Sequence, residues 1–340
     1  MDINWAPFFD QIINGVTVGS FYALIALGYT MVYGVLKMIN FAHSEIFMMG
    51  SYTGLFTLTL LTNLGVYERA PLPAIILTFL AGMGGAALTG VTVERLAYRP
   101  LRRAARLAPL ISAIGASIFL QELVRLLPNI GEAITGLSIG GANIFPQVVQ
   151  DKVVGALSSF GGNYPKAYPG ILNLGGIDIG EVYISYGRMI VVATSIAMMA
   201  FLYFLVMRSR LGKAMRAVSE DKDTAALMGV NVDQVISRTF LIGSALAGVA
   251  GVMVGMYYLQ IKVTMGFIPG IKAFTAAVLG GIGNIPGAML GGYTLGLAES
   301  LGVLVLPAVY KDIVAFSLLV LTLIFKPTGI LGESVTGRRR

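Results

Sequence analysis

Long runs without charge constrain this 340-residue chain more than any other feature. The stretches Ile12–Leu36 and Ile46–Tyr67, for example, contain no charged side chain. A helix of about 20 predominantly apolar residues is long enough to cross a bilayer. Several further runs of this length follow, and short charged loops separate them. We therefore expect an all-α integral membrane protein, a polytopic bundle of about eight to nine transmembrane helices.

Composition supports this class and excludes several functions. Charged residues make up 12% of the chain and hydrophobic residues 56%, whereas soluble domains carry about 25% charged residues. There is no cysteine and only one histidine, His43. Disulfides, Cys-ligated metals and His-based metal sites are therefore not expected, and we expect no cofactor. The net charge of +7 lies in short loops between apolar runs, a pattern that reports topology rather than nucleic-acid binding.

Charge placement predicts the orientation. Basic residues cluster in three segments, which the positive-inside rule assigns to the cytoplasm. An acidic N-terminus and a polar segment rich in Gly and Pro, at about 129–187, are expected outside. The C-terminus is expected in the cytoplasm. The basic residues are Arg95, Arg99, Arg102, Arg103, Arg106, then Arg208, Arg210, Lys213, Arg216, Lys222, and finally Arg338, Arg339, Arg340.

The expected spans form a single transmembrane domain over 1–340. One apolar segment, 263–306, would measure about 65 Å as a single helix, about twice the hydrocarbon core. It must break, and the sequence GGIGNIPG at Gly280–Gly287 is where we expect the break or a re-entrant turn. Two crossings there give nine in total and place the C-terminus inside. The other spans are expected at about 9–36, 44–64, 72–95, 107–128, 187–207, 237–260 and 311–326.

The cytoplasmic loop at about 208–236 is the most informative polar stretch. We expect a short basic helix, then Ser219 as the cap of a helix from Glu220 to Met228, ended by a left-handed Gly229. Asn231 is expected to cap the next helix, with Gln234 three residues on. Such a loop is either a partner-docking surface or an ordinary connector. The chain lacks the phosphate-binding pattern G-x-x-x-x-G-K-[ST], so any ATP must be hydrolysed by another chain.

Four stretches resemble one known family, the permeases of branched-chain amino acid ABC transporters. They are the opening GVTVGSFYALIALGYTMVYGVLKMINFAHSEIFMMGSY, the loop GKAMRAVSEDKDTAALMGVNVDQV, the pair of spans AFTAAVLGGIGNIPGAMLGGYTLGLAE and the tail YKDIVAFSLLVLTLIFKPTGILG. Together they cover well over half of the chain, in order. Ser44 stands where the family usually has glycine.

This resemblance implies a transport subunit of a bacterial-type inner membrane, not an enzyme. It implies three kinds of protein partner: two ABC ATPase subunits, a second related permease subunit (identical or different), and a periplasmic substrate-binding protein. The loop is then the ATPase-coupling segment. Its candidate contact residues are Arg216, Ala217, Glu220, Asp221, Ala225 and Gly229.

Candidate residues for the substrate path or gate come from polar side chains in apolar surroundings. They are Asn40, His43, Glu45, Gly280, Gly281, Asn284 and Glu299. Glu45 is either an interfacial residue at the start of the second helix or part of an inner gate. The glycine-rich break either holds a zwitterion through freed backbone groups or is a packing turn. Near the external end of the fourth span, Glu122 and Arg125 are expected to pair, with Gln121 beside them.

Three functions follow from the sequence. The first is an ABC importer permease for branched-chain or other apolar amino acids. The second is a permease of the same architecture for urea or short amides. The third is an ion-coupled secondary transporter or channel, which the scarcity of ionisable residues inside the spans disfavours. Co-purification with an ATPase would distinguish the importer from a carrier that works alone.

Overall fold

The computed structural model describes residues 5–102, 104–105, 107–135, 138–139, 142–143, 160–170, 175–180 and 182–332. Arg103, Arg106 and Arg338–Arg340 lie outside the described residues. The α-helices are α1 (Ala6–Leu36), α2 (His43–Asn63), α3 (Val66–Arg69), α4 (Pro71–Val93), α5 (Leu107–Thr135), α6 (Tyr186–Arg208), α7 (Arg210–Glu220), α8 (Lys222–Leu227), α9 (Val232–Tyr258), α10 (Phe267–Gly280), α11 (Ile285–Gly302) and α12 (Lys311–Phe325).

Short elements join the helices. A π-helical turn (Glu94–Tyr98) continues α4, and 3₁₀ turns lie at Arg99–Leu101, Val263–Gly266 and Ala308–Tyr310. The strands are β1 (Ser138–Ile139), β2 (Ala142–Asn143), β3 (Lys166–Ala167), β4 (Gly176–Ile179), β5 (Val182–Ser185) and β6 (Gln260–Ile261), paired antiparallel as β1–β2, β3–β6 and β4–β5.

The helices confirm an all-α polytopic membrane protein. Among the described residues, seven helical segments are both long and apolar enough to span a membrane. Helices α2 and α11, of 21 and 18 residues, are also long enough but less apolar. The expected break in 263–306 is confirmed, because α10 ends at Gly280 and α11 begins at Ile285.

The chain divides into two compact units. Unit 1 comprises residues 1–40, 172–246 and 268–340, and unit 2 comprises residues 41–171 and 247–267. Helix α9 therefore contributes its first part to unit 1 and its second part to unit 2. The expectation of a single domain over 1–340 stays a prediction.

Unit 1 is built around the close packing of α1 on α11. A Cβ added at Gly19 would lie 2.9 Å from the Cα of Tyr293, and one at Gly296 would lie 2.4 Å from the backbone nitrogen of Gly19. Small residues four apart let the two backbones approach this closely, as in membrane helix pairs generally. Helix α1 is accordingly the interior helix of this unit, with 78% of its apolar window buried.

Unit 2 has the same kind of core. Gly248 of α9 packs against α4, where an added Cβ would lie 2.4 Å from the carbonyl oxygen of Gly82. Gly251 packs against α2, where the same test gives 2.3 Å to the carbonyl oxygen of Phe47. By contrast, α4 and α5 have only 28% and 22% of their apolar windows buried. They form the periphery of the unit.

Part of the predicted external segment, residues 160–170, packs within unit 2. Phe160 packs edge-on against Phe56 and tilted against Tyr52, with ring centroids 6.2 and 5.9 Å apart. Tyr168 is buried, and its backbone N–H donates to the carbonyl of Leu259 at 2.9 Å. These contacts close the end of the unit at which α9 finishes.

Candidate functional site

The loop after α6 is an ordered helix pair whose starts are capped by side chains. Ser209 accepts from the backbone N–H of Gly212 at 3.0 Å and begins α7. Asp221 accepts from the N–H of Thr224 at 2.8 Å and begins α8. These bonds satisfy N–H groups that a helix start leaves without partners. Since the backbone N–H of Thr224 stabilises the charged form, the pKa of the Asp221 carboxyl lies below its usual value.

The predicted cap at Ser219 is wrong. Its hydroxyl donates to the carbonyl of Arg216 at 2.7 Å, so Ser219 lies inside the last turn of α7. Glu220 consequently ends α7 rather than beginning the next helix, and the cap is Asp221. The sequence allowed both registers, because Ser and Asp are both good caps. The predicted roles of Gly229 (φ 82°) and of Asn231, which accepts from the N–H of Gln234 at 3.0 Å, are confirmed.

The exposed side of this helix pair carries two large apolar residues. Leu227 is 88% and Met228 80% exposed, and Glu220 and Asp221 of the same loop are also exposed. Ala225 faces inward and is buried. Sequence analysis missed Leu227 and Met228, although a Leu-Met pair directly before the helix-ending glycine of a polar loop was a visible signal. Exposed apolar pairs on an ordered segment outside the lipid are typical of docking surfaces.

Helix α7 is fixed to the end of α6. Gly212 approaches the last turn of α6 so closely that an added Cβ would lie 2.0 Å from the carbonyl oxygen of Val206. The same carbonyl accepts from Nη1 of Arg216. A cavity of about 120 Å³ lies beside this junction, lined by residues of α1, α6, α7 and the start of α11. Helix α7 therefore packs directly against the end of α6.

Asn40, His43 and Glu45 are all fully buried side chains, at 0–1% exposure. Glu45 lies in the first turn of α2, and its Oε1 accepts from Nε2 of Gln121 at 2.8 Å and from Oγ of Ser117 at 3.3 Å. Ser117 and Gln121 are four residues apart and so share one face of α5.

These bonds place Glu45 opposite the middle of the apolar part of α5. The span containing Ser117 and Gln121 runs over Leu107–Asn129, and both residues are near its middle. The interpretations of Glu45 as an interfacial residue and as part of an inner gate both stay predictions. The sequence did not predict this contact, because Gln121 was expected beside Glu122 and Arg125 near the external end of the span. Helix α2 instead begins opposite the centre of α5, about 15–20 Å from the start of α5 at 1.5 Å per residue.

Further polar groups follow Glu45 along unit 2. Within the part of the chain that the structure describes, the hydroxyls of Ser51, Tyr52 and Tyr168 are buried and have no hydrogen-bond partner. Ser51 and Tyr168 both border Gly255, where an added Cβ would lie 3.1 Å from the Ser51 hydroxyl oxygen and 2.6 Å from the Tyr168 ring. A buried hydroxyl without a partner is costly, so such groups usually meet water or a ligand.

Glu299 belongs to an ionic cluster in unit 1, in which Glu299 and Lys272 are buried and Asp312 is half-exposed. Nζ of Lys272 lies 2.8 Å from Oε1 of Glu299 and 2.7 Å from Oδ1 of Asp312. The hydroxyl of Tyr22 donates to Oε2 of Glu299 at 2.9 Å, and Lys272 lies 5.9 Å from the centroid of the Tyr22 ring. The sequence analysis named Glu299 but missed Lys272, because the two are 27 positions apart and only the turn between α10 and α11 pairs them.

The glycine-rich break is a closed turn. Gly281 and Gly283 have φ values of 106° and 94°, which only glycine adopts without strain. Asn284 caps α11 by accepting from the N–H of Gly287 at 3.1 Å, and it donates to the carbonyl of Leu331 at 2.8 Å.

The residues after α12 donate hydrogen bonds to the backbone carbonyls that the break leaves without helical partners. The N–H groups of Ile330 and Leu331 donate to the carbonyls of Leu279 and Gly280 at 2.8 and 3.0 Å. This arrangement favours the packing turn over a zwitterion site. A substrate-path role for Gly280, Gly281 and Asn284 stays a prediction.

The predicted Glu122–Arg125 pair is present, with 2.5 Å between Oε1 and Nη1. It is partly exposed on the outer side of α5. Gln121 does not join this pair, since its amide is bonded to Glu45.

Comparison with known proteins identifies the family. Residues 11–323 match the family described as "Branched-chain amino acid transport system / permease component". The chain belongs to this family. This permease is 46% identical over 326 residues to the high-affinity branched-chain amino acid transport system permease protein BraD of Pseudomonas aeruginosa, an alignment that covers 96% of each chain.

Two further relatives agree. The permease is 44% identical to the permease protein LivH of Escherichia coli K12, again over 96% of each chain. It is 28% identical to the probable branched-chain amino acid transport permease protein LivH of Methanocaldococcus jannaschii, over 95% of this chain and 92% of the other. The resemblance in the sequence is thus confirmed: the chain is a membrane permease subunit and not an enzyme.

Proposed function

We propose that this permease is the membrane subunit of an ATP-driven importer that carries branched-chain or other apolar amino acids across an inner membrane. Full-length similarity to relatives named for branched-chain amino acid transport supports the substrate class. The subunit works with two ABC ATPase subunits, a second related permease subunit and a periplasmic binding protein. Its N-terminus is external and its C-terminus cytoplasmic.

The orientation is supported by charge and by one contact in unit 1. The basic residues follow the ends of α4 and α6, which the positive-inside rule assigns to the cytoplasm. At the opposite ends, Arg188 in the first turn of α6 pairs with Asp10 in the first turns of α1, with 2.8 Å between Nη1 and Oδ1. Helices α1 and α6 therefore start on the same side, which is external in this topology.

The single observation that carries the ATPase-docking proposal is the exposure of Leu227 and Met228 on a capped helix pair. An ordinary connector has no need of ordered, exposed apolar residues. The two side chains enter a groove on the ATPase, with Arg216, Ala217, Glu220, Asp221 and Gly229 around them. Closure of the ATPase dimer on ATP moves α7, and the contacts of Gly212 and Arg216 with Val206 pass the movement to α6.

The docking proposal is tested by the double variant Leu227→Asp with Met228→Asp in the assembled transporter. Both side chains face solvent, so folding is unaffected, whereas carboxylates cannot enter an apolar groove. We expect the ATPase to be lost on co-purification and substrate-stimulated hydrolysis to disappear. Leu64→Asp is the matched control. Leu64 is also an exposed leucine, at 48%, but it follows the C-terminal end of α2 and lies outside the coupling loop. Normal ATPase retention by the double variant would refute the docking surface.

The substrate path runs along α2 within unit 2. It begins among the buried His43 and Glu45 and continues past the hydroxyls of Ser51 and Tyr52. A path role for Asn40 stays a prediction. An ionisable residue at membrane depth is costly and generally functional. Glu45 receives only neutral donors from α5, so its charge is available to the ammonium group of an amino acid. The unpartnered hydroxyls replace water around a moving zwitterion.

The alternatives are separated by two measurements. The ligand that the cognate binding protein captures distinguishes amino acids from urea or short amides. Uptake by the purified permease alone, in vesicles without an ATPase, would identify an ion-coupled carrier or channel. The cluster of Lys272, Glu299 and Asp312 is the feature that such a carrier would use.

A further inference from the structure

Residues 160–170 of unit 2 carry the side chain of Tyr168 into a slot between two helices. Glycine forms the slot on both sides. A Cβ added at Gly255 of α9 would lie 2.6 Å from the Tyr168 ring, and one at Gly54 of α2 would lie 2.8 Å from the Tyr168 hydroxyl oxygen. Tyr168 is only 2% exposed. Its side chain therefore fills a space that α2 and α9 leave open because both positions lack a side chain.

The hydroxyl of Tyr168 is not explained by packing. Among the described residues it is buried without a hydrogen-bond partner, which costs free energy. A phenylalanine would fill the same slot without that cost. An unsatisfied buried polar group in a native protein calls for a further partner or a functional reason. The hydroxyl thus favours a side chain that leaves the slot for water in another state of the transporter.

Tyr168 also lies over the proposed substrate path. The Cβ position at Gly255 is 3.1 Å from the hydroxyl oxygen of Ser51 as well as 2.6 Å from the Tyr168 ring, so both border the same point. Phe160, in the same segment, packs on Tyr52 with ring centroids 5.9 Å apart. One segment therefore covers both hydroxyl-bearing residues of the path. It does so at the end where α9 finishes, which is external in the proposed topology.

The segment is attached by few bonds. Strands β3 and β6 pair over only two residues each, and the N–H of Tyr168 adds one bond to the carbonyl of Leu259 at 2.9 Å. Gly161 and Gly162, which precede β3, have φ values of 90° and 98°, where glycine is free of strain. Segments held by a few solvent-exposed backbone bonds open at low free-energy cost. The attachment therefore permits the segment to withdraw without unfolding the helices.

We propose that Tyr168 is the outer gate residue of the substrate path. Its side chain closes the path in this structure, and it leaves the slot between Gly54 and Gly255 to admit a branched-chain or other apolar amino acid. This role rests on the proposed path along α2. Withdrawal separates β3 from β6 and brings the Tyr168 hydroxyl into water.

A disulfide across β3 and β6 tests the gate, because the chain has no cysteine of its own. Ala167 and Gln260 are directly opposite each other in this ladder, and both are exposed. They flank the hydrogen-bonded pair of Tyr168 with Leu259, so they form the closer type of antiparallel pair, with Cα atoms about 4.5 Å apart, which a disulfide can bridge. Oxidised Ala167→Cys with Gln260→Cys should block leucine uptake by the assembled transporter in proteoliposomes. Reduction should restore it.

The matched control is Asp178→Cys with Tyr183→Cys. These residues form the same type of exposed pair in the β4–β5 hairpin, which does not hold Tyr168. Oxidation there should leave leucine uptake unchanged. Normal uptake by the Ala167→Cys, Gln260→Cys variant, with the disulfide verified by mass spectrometry, would overturn the gate.

Glu45→Gln in the same assay separates the gate from the path. If Glu45→Gln loses uptake and the cross-linked variant does not, the gate is wrong and the path stands. The reverse result keeps the gate and removes Glu45 from the path.

A second arm measures access to the path rather than transport. Ser51→Cys is exposed to a membrane-impermeant thiol reagent from the outside. We expect negligible labelling at rest, because Tyr168 covers this position, and labelling when ATP and the substrate-loaded binding protein are added. Tyr168→Ala should allow labelling at rest, whereas Tyr168→Phe, which keeps the ring, should not.

Labelling that is unchanged by Tyr168→Ala would overturn the gate. If Tyr168→Ala does not assemble, the response of Ser51→Cys to the binding protein decides, and labelling that stays negligible then rejects the proposal.

Discussion

The side-chain amide of Gln121 donates to the carboxylate of Glu45, with 2.8 Å between Nε2 and Oε1. This bond joins the first turn of α2 to the middle of the α5 span. A neutral glutamine would satisfy the same donors without the cost of a buried charge. A purely structural role would therefore tolerate glutamine, and a role in binding a substrate ammonium would not.

Glu45→Gln is expected to leave the transporter assembled and to lower amino acid uptake by roughly tenfold or more, the effect of about 1.4 kcal/mol on a transport barrier. Uptake into proteoliposomes with binding protein and ATP is the measurement. Glu122→Gln removes a carboxylate from the exposed side of α5 and serves as the control, with uptake unchanged. Wild-type uptake by Glu45→Gln would remove Glu45 from the path.

Lys272→Met is expected to destabilise the permease strongly, by about 3–5 kcal/mol, because it leaves the buried Glu299 without its cation. The double variant Lys272→Met with Glu299→Gln should recover most of this loss, since no unpaired charge then remains. Asp312→Asn should cost less, because Asp312 is half-exposed. Thermal unfolding in detergent measures all three. Additive losses in the double variant would show that Lys272 and Glu299 are not coupled.

Asn284→Ala is expected to loosen the turn between α10 and α11. The variant loses the cap on Gly287, worth about 1 kcal/mol, and a hydrogen bond to Leu331 of similar value. Asn284→Asp keeps the capping oxygen and loses only the donor to Leu331. Hydrogen exchange at the Gly287 amide should therefore rise in Asn284→Ala and stay near wild type in Asn284→Asp. Equal exchange in the two variants would contradict the assigned roles.

The cap of α8 should depend on pH only in acid. Because the folded-state pKa of Asp221 is lowered, its contribution to helix stability is fully present above the ordinary aspartate pKa, about 3.9. The contribution is lost as pH falls through the lower folded value. We expect the protection of the Thr224 amide by this cap to stay constant between about pH 5 and 8, because the Asp221 carboxyl is ionised throughout that range. Asp221→Ala should raise exchange throughout that window, and Asp221→Asn should retain protection, because asparagine also caps.

Glu220→Lys is expected to uncouple ATP hydrolysis from transport. Glu220 is exposed at the last position of α7, where the helix dipole favours a cation, so the fold should not suffer. If the ATPase groove contacts the Glu220 carboxylate, a lysine at this position would be repelled and the ATPase would dock less well. Substrate-stimulated ATPase activity is the measurement. The control is Glu68→Lys, the same charge reversal in α3, which follows the C-terminal end of α2. Normal stimulation in Glu220→Lys would exclude Glu220 from the contact.

The sequence by itself determined the elements of this permease and its family. The spans could be predicted because each apolar run is long enough to cross a bilayer. The break could be predicted because Gly281, Gly283 and Asn284 are residues that favour a turn. Gly229 and Asn231 were readable for the same reason.

Only the tertiary structure decided depth and partnership. That Glu45 lies opposite the centre of α5, and that Lys272 neutralises Glu299, depends on how helices shift along and pack against one another. Hydropathy is nearly constant along a span, so it does not fix that shift. The register comes from close approach at residues such as Gly19 and Gly296, whose partners lie hundreds of positions away in the chain.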